Sequence, residues 1–250
     1  MNSKDDNLTG AHIWNRMADR YANKPVADQA AYERKLAATS RLLQGQDQVL
    51  EIGCGTGTTA IFHAPQVQHV TAIDYSERMI EISQAKTATQ GIRNIDFKVS
   101  SLSDFSARKK QFDVVLAHSV LHLVPNVPAT LKQVSNLLRP GGYFISTTVC
   151  MADFFKGFRY INALGKALRV MPYVGVFSHA QLDTWLTQAR FEIAESWQPR
   201  PKAGHFIIAR KPYTHASQND QLAMVASVVF SRYGPLIWIV VGISLRPLTA

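Results

Sequence analysis

Between residues 48 and 150 short apolar runs alternate with amphipathic ones, and this alternation limits the possible folds more than any other feature. The runs 48–53, "HVTAIDY" (69–75), "IDFKVSS" (95–101), "FDVVLAHS" (112–119) and "YFISTTVC" (143–150) are short and rich in branched residues, so they read as strands. Helical spacing fills the gaps: 58–64 stopped by Pro65, 76–90 opened by Ser76, and 127–139 terminated by Pro140-Gly141-Gly142. Strand, helix and strand in succession return in parallel through right-handed crossovers. The expected core is therefore an α/β, doubly wound, mostly parallel sheet covered by helices on both faces.

Upstream, 11–44 reads as two helices separated at Pro25, the first carrying Trp14, Met17, Ala18 and Tyr21 and the second Tyr32, Leu36, Leu42 and Leu43. Downstream, "DFFKGFRYINALGKALRV" (153–170) has Phe154, Ile161, Leu164 and Leu168 on one side of a helical wheel and Lys156, Arg159, Lys166 and Arg169 on another. That pattern suits a lid over a pocket or a surface resting on anionic lipid headgroups. A helix over 178–189, capped by Ser178, and strands over 191–197 and 205–211 complete the folded part. The expected domains are a helical cap (1–44), a ligand-binding domain (45–211) with a lid or acceptor region at 153–190, and a polar linker with an apolar tail (212–250). The tail segment 222–245 is long enough to cross a bilayer, but Arg232 and Pro235 divide it, which favours peripheral membrane contact or docking on the protein itself.

The chemistry concentrates in "VLEIGCGTGTTA" (49–60). In a doubly wound sheet ligands bind beyond the carboxyl ends of the strands, and the first strand-to-helix turn lies there. Gly53, Gly55 and Gly57 leave the backbone bare, with Cys54 as a small residue between them. Thr58 occupies the third glycine position of a dinucleotide loop, and no Gly-Lys-Ser/Thr ending follows. Glu51 opposes a pyrophosphate and attracts an ammonium group. Asp74, at the end of the second strand, can accept two hydrogen bonds from a ribose diol. A nucleoside with a cationic arm fits both acids, and S-adenosylmethionine has that shape.

These residues, together with "FDVVLAHSVLHLVPN" and "LLRPGGYFIS", resemble the class I S-adenosylmethionine-dependent methyltransferases, in particular the small-molecule, ubiquinone/menaquinone-type branch. The resemblance covers roughly residues 10–211. It implies a seven-stranded sheet of order 3-2-1-4-5-7-6 with the seventh strand antiparallel, and methyl transfer to a small organic, possibly lipophilic, acceptor. By position, Glu51 and the Gly53, Cys54, Gly55 and Gly57 loop would hold the methionine part, and Asp74 the ribose. Tyr75 or Met79 would pack near adenine, as would Ser101-Leu102, where the family usually has an acid. Trp14 and Tyr21 would close over the site. The acceptor would lie among Trp14, Tyr21, His118, His122 and the 153–179 region, which includes Tyr160. His118 and His122 are candidate proton acceptors on the premise of an ordinary imidazole pKa, although methyl transfer requires no base. A non-catalytic, membrane-associated relative of these enzymes is the alternative.

The formal charge of +9 gathers after residue 150, where 11 Lys/Arg face 5 Asp/Glu. No basic run exceeds two residues, so a nucleic-acid partner is not expected. Two cysteines without metal-ligand spacing and a polar "MNSKDDNLTG" start suggest a reducing, cytoplasmic setting, and 153–170 and 222–245 leave a peripheral membrane contact open.

Overall fold

The computed structural model describes residues 3–105, 111–155, 157 and 173–213. Most of the expected helix at 153–170, with Tyr160, and the whole 222–245 tail lie outside them. Two helices, α1 (Ser3–Ala22) and α2 (Gln29–Ser40), precede β1 (Gln48–Ile52). Then follow α3 (Thr58–His63), β2 (His69–Asp74), α4 (Glu77–Gln90), β3 (Ile95–Val99), β4 (Phe112–His118), α5 (Val127–Leu137) and β5 (Leu138–Thr148). The last elements are α6 (His179–Gln188), β6 (Glu192–Trp197) and β7 (His205–Arg210). All seven strands form one sheet in the order β3-β2-β1-β4-β5-β7-β6. The first five run parallel to one another, and β7 runs antiparallel to both β5 and β6. This is the expected sheet. Among the described residues no helix is long and apolar enough to cross a membrane.

Local chemistry explains the boundaries. Asp28, Ser76 and Asn126 each accept a backbone N–H from the first turn of the helix that they open. Ser178 and Gln181 form a reciprocal capping box at the start of α6. Two expectations needed correction. The first helix begins at Ser3 rather than near residue 11. β5 begins at Leu138 rather than at 143, because the chain goes straight from α5 into sheet pairing at Leu138↔Phe112. Arg139 fixes that early start by gripping the Asp113 carboxylate at 2.5 and 2.6 Å, and Asp113 also accepts the Gln48 N–H at 2.8 Å. A side chain on Gly142 would stand 2.8 Å from the Asp113 carbonyl, so the strands close up only around glycine.

The sheet separates two cores. One face buries Leu50, Ile52, Ile73, Val115 and Phe144 against Leu131 and Val134 of α5 and Leu182 and Leu186 of α6. The other buries Val49, Val70, Ala72, Leu116 and Ile208 against Ala38, Ala60 and Ile80 of α2, α3 and α4. Strand alternation puts Glu51 on this second face, between Ala72 and Leu116 of the neighbouring strands. A carboxylate thereby enters an apolar layer.

Candidate active site

β1 ends in a turn where Gly53, Gly55 and Gly57 have φ of 64°, 53° and 74°. Two of these glycines are also required by space. A Cβ on Gly53 would lie 2.6 Å from a Val120 methyl, and one on Gly57 would lie 2.9 Å from the Phe97 ring and the Ser83 hydroxyl. Gly55 has open room, its nearest neighbour being Tyr21 at 3.8 Å. The loop is tied from several directions. Asp74 accepts the Gly55 N–H at 2.9 Å and, through its other oxygen, the Ser76 N–H at 2.8 Å. The Ser83 hydroxyl donates to the Gly55 carbonyl, and the Lys86 ammonium donates to the Thr56 carbonyl.

Beside this turn lies a cavity of about 450 Å³, a size ordinary for a cofactor pocket. Its floor is Glu51, Gly53, Cys54 and Gly55. One wall is the end of β4 at His118 and Ser119 with Thr147 of β5, and the other is the α1–α2 region, including Tyr21, Tyr32 and Lys35. Glu51 is 2 % exposed, and its Oε2 has no hydrogen-bond partner. Burial, opposed by a backbone hydrogen bond from Ala60 and reinforced by the Asp74 charge, pushes the Glu51 carboxyl up to about 8. A carboxyl with one unpartnered oxygen, reluctant to ionise alone and bordering a cavity, is complementary to a cation.

His118 departs from the premise of an ordinary imidazole. Its Nδ1 lies 3.1 Å from the Thr147 hydroxyl, and its ring runs parallel to Phe206. Loss of hydration, with the Lys35 and His63 charges adding, pushes it down to about 3, so it is neutral at physiological pH. Lys35 is itself shifted down by burial. His122 does not line the cavity. Burial takes it down to about 4, its Nδ1 has no partner, and its carbonyl accepts the Gly175 N–H at 2.7 Å.

Of the residues singled out from sequence, the cavity gathers Tyr21, Glu51, Gly53, Cys54, Gly55 and His118. Asp74 stands behind the loop as its clamp. Gly57 packs on Phe97, Met79 is 2 % exposed in the interior, and Leu102 is in the core beside Ile73. Ser101 donates its hydroxyl to Asp104 at 2.6 Å, so an acid does stand near the third strand's end, three residues later than expected. Tyr75 packs its hydroxyl end under Gly10 of α1, and Trp14 meets Tyr21 edge-on at 6.0 Å. α1 is held there by Asn15, which accepts the Ser76 hydroxyl at 2.6 Å, and by an Asp19–Arg78 ion pair at 2.7 Å. Tyr32, Lys35 and Thr39 escaped the sequence reading. Their three- and four-residue spacing on α2 is in the sequence, but a helix face that borders a cavity has the same period as one that packs on a core. Ser119 escaped too. Its φ of 56° is known only from the structure, and such strain gathers at sites.

A family model described as a methyltransferase domain matches residues 43–199, more than half of the chain. The ubiquinone biosynthesis O-methyltransferase of Xanthomonas axonopodis pv. citri (strain 306) is 28 % identical over 163 residues, which cover 63 % of this chain and 67 % of that protein. Among solved structures, the N-methyltransferase NodS from Bradyrhizobium japonicum WM9, in complex with S-adenosyl-L-homocysteine, superposes with a TM-score of 0.62 at 18 % identity. The match covers 82 % of this chain and 98 % of that one. The [4+2]-cyclase SpnF superposes equally well, at 0.63 and 18 % identity over 76 % of this chain and 84 % of that one, so the superpositions speak for the fold alone. With the family match added to the glycine turn and its buried acid, the chain belongs to the methyltransferase-domain family, as a class I S-adenosylmethionine-dependent methyltransferase.

Proposed function

We propose that the protein transfers a methyl group to a hydroxyl oxygen of a small, lipophilic, aromatic acceptor. The observation that carries this reading is that one cavity is lined by two chemically distinct sets of groups. Glu51 offers an unpartnered carboxyl oxygen next to bare glycine backbone. Tyr32, Lys35 and His118 line the same cavity with aromatic surface, a cation and a neutral imidazole. The curated relative that acts in ubiquinone biosynthesis is an O-methyltransferase, which supports the choice of oxygen.

The cofactor, when bound, supplies a methyl group already activated on a sulfonium. Glu51 would hold its amino group as a carboxylate counter-ion, the carboxyl proton passing to solvent. Gly53, Cys54 and Gly55 would bring backbone close to it, with Asp74 holding the turn in place and available to the ribose. Tyr75 and Ser101 would border the adenine, with the buried Met79 and Leu102 as packing behind them. Lys35 stabilises the acceptor oxygen as an anion, so the hydroxyl loses its proton to solvent near neutral pH without an imidazole base. His118, neutral and braced by Thr147, forms the wall that orients the acceptor and excludes water. His122 and Trp14 support the two walls without reaching the reacting atoms. The sequences at 153–170 and 222–245 suit a peripheral membrane contact through which such an acceptor is met.

The test is mass spectrometry of lipid and aqueous extracts incubated with the protein and isotopically methyl-labelled S-adenosylmethionine. A labelled methyl ether in the lipid fraction is the expected product. Label on nitrogen, carbon or sulfur, or label confined to a polar compound, would refute the proposed acceptor while leaving the enzyme class intact.

A further inference from the structure

A second cluster of reactive side chains lies where the end of β5 meets the starts of α6 and β7, and the cavity does not use it. Cys150, 1 % exposed, follows β5, and Asp153 closes the helical turn Met151–Asp153. His179 opens α6 with Asp183 one turn on, and His205 opens β7. Single donor atoms of Cys150, Asp153 and His179 lie within 4.8 Å of one another. The His179 and His205 rings are 4.3 Å apart, centre to centre. Asp153 and Asp183 both act electrostatically on Cys150 and on His205.

Ordinary structural roles account for only half of these atoms. Asp153 accepts the His179 backbone N–H at 2.9 Å and lies 3.0 Å from its Nδ1, which pins the start of α6. The Ser196 hydroxyl sits 2.8 Å from His205 Nε2. The opposite atoms, His179 Nε2 and His205 Nδ1, are shut away from water without a partner, and so is Asp183 Oδ1. Buried polar atoms are seldom left this way. Each imidazole therefore has one nitrogen held by an oxygen and the other bare, which is how metal-binding histidines are oriented.

We propose that Cys150 Sγ, His179 Nε2, Asp183 Oδ1 and His205 Nδ1 form a binding site for a thiophilic divalent transition-metal ion of the zinc class. Soft sulfur with two imidazoles and one carboxylate suits such an ion and not magnesium or calcium. Binding releases the Cys150 proton to solvent, and thiolate and carboxylate together balance the two positive charges. Metal–ligand bonds of 2.0–2.3 Å set tetrahedral donors about 3.3–3.8 Å apart. Among the described residues only Cys150, Asp153 and His179 already have donor atoms within 4.8 Å of one another, so Asp183 and His205 join the ion by side-chain rotation. Asp153 stays outside, as the carboxylate that orients His179. The ion staples three segments distant in sequence, at the rim of the region expected to shape the acceptor pocket.

The test uses the full chain, stripped with a chelator and titrated with Co²⁺ and then Zn²⁺. One equivalent of Co²⁺ produces a thiolate-to-cobalt charge-transfer band in the near ultraviolet, and Zn²⁺ abolishes it. Cys150→Ser removes the band, while His205→Gln and Asp183→Asn each weaken Zn²⁺ binding about 10- to 100-fold without changing far-ultraviolet circular dichroism. Only Cys54 offers another thiol. A folded wild type without the band, or a band that survives Cys150→Ser, overturns the site. Should Cys150→Ser fail to fold, unchanged affinity in His205→Gln overturns it equally.

Discussion

Glu51 and His118 end adjacent central strands and face the same cavity, yet their situations are opposite. Both have lost water, and both are driven to neutrality, the acid upward to about 8 and the imidazole downward to about 3. His118 has a partner in Thr147 and a flat neighbour in Phe206. Glu51 has an oxygen with nothing to accept from. The difference separates a finished structural contact from one completed by a ligand. Burial alone does not mark a working group, and neither does an unmet hydrogen bond by itself: at Glu51 it borders a cavity, and at the equally unpartnered His122 Nδ1 it does not.

The most severe way to break this comparison is to remove the room that Glu51 depends on. Gly53→Ala forces a side chain into left-handed backbone and against Val120, and is expected to cost roughly 2–5 kcal/mol in urea unfolding and to abolish cofactor binding. Full binding with unchanged stability would show that the turn is not built as described.

Glu51→Gln removes only the charge. Calorimetry with S-adenosylhomocysteine should show affinity falling about 100-fold, while the ligand-free variant melts a few degrees higher than wild type, because a stranded carboxyl has gone. The sign with pH follows from the raised pKa. The free protein holds a proton on Glu51 that a bound ammonium expels, so wild-type affinity should rise about tenfold per pH unit up to about 8, with proton release. The same proton is absent from the unfolded chain above pH 4.5, so this residue opposes folding increasingly between there and 8. In Glu51→Gln the pH slope of binding should vanish. A slope that remains would assign the proton elsewhere.

Lys35→Met sharpens the contrast on the acceptor side. Once a substrate is in hand, kcat/KM should fall about 10- to 100-fold and the rising limb of its pH profile should move to higher pH, since the hydroxyl loses the cation that eased its ionisation. His118→Gln comes last in size, with activity within about fivefold of wild type and no displacement of the pH profile. A loss of 10²–10⁴ together with disappearance of one limb would make His118 a general base and dissolve the distinction drawn here.

The elements and the glycine turn were legible because each rests on local chemistry, whereas the sheet order came only with the family resemblance. Strand alternation, Pro and Gly punctuation and Ser or Asn caps specify their elements within a few residues. The early start of β5 was not legible, since it depends on Arg139 reaching Asp113, 26 positions away. The site divides along the same line. Glu51 and Gly53 declare themselves by their place after an apolar strand. Lys35 and Tyr32 do not, because a helix face touching a cavity has the same period as one touching a core. His118 was found by position but misjudged in chemistry, as its proton affinity is set by neighbours from β5, β7 and α2.

The fastening of α1 has a kinetic consequence. This helix, whose last turn carries the Tyr21 that borders the cavity, is joined to the start of α4 by the exposed Asp19–Arg78 ion pair and by Asn15, beside its buried Ile13 and Ala18. Exposed ion pairs hold with less than about 1 kcal/mol and weaken in salt. If the spent nucleoside leaves by displacement of α1, turnover limited by that departure should quicken as ionic strength rises, and a rate that ignores salt would assign the hold to the buried Ile13 and Ala18 instead.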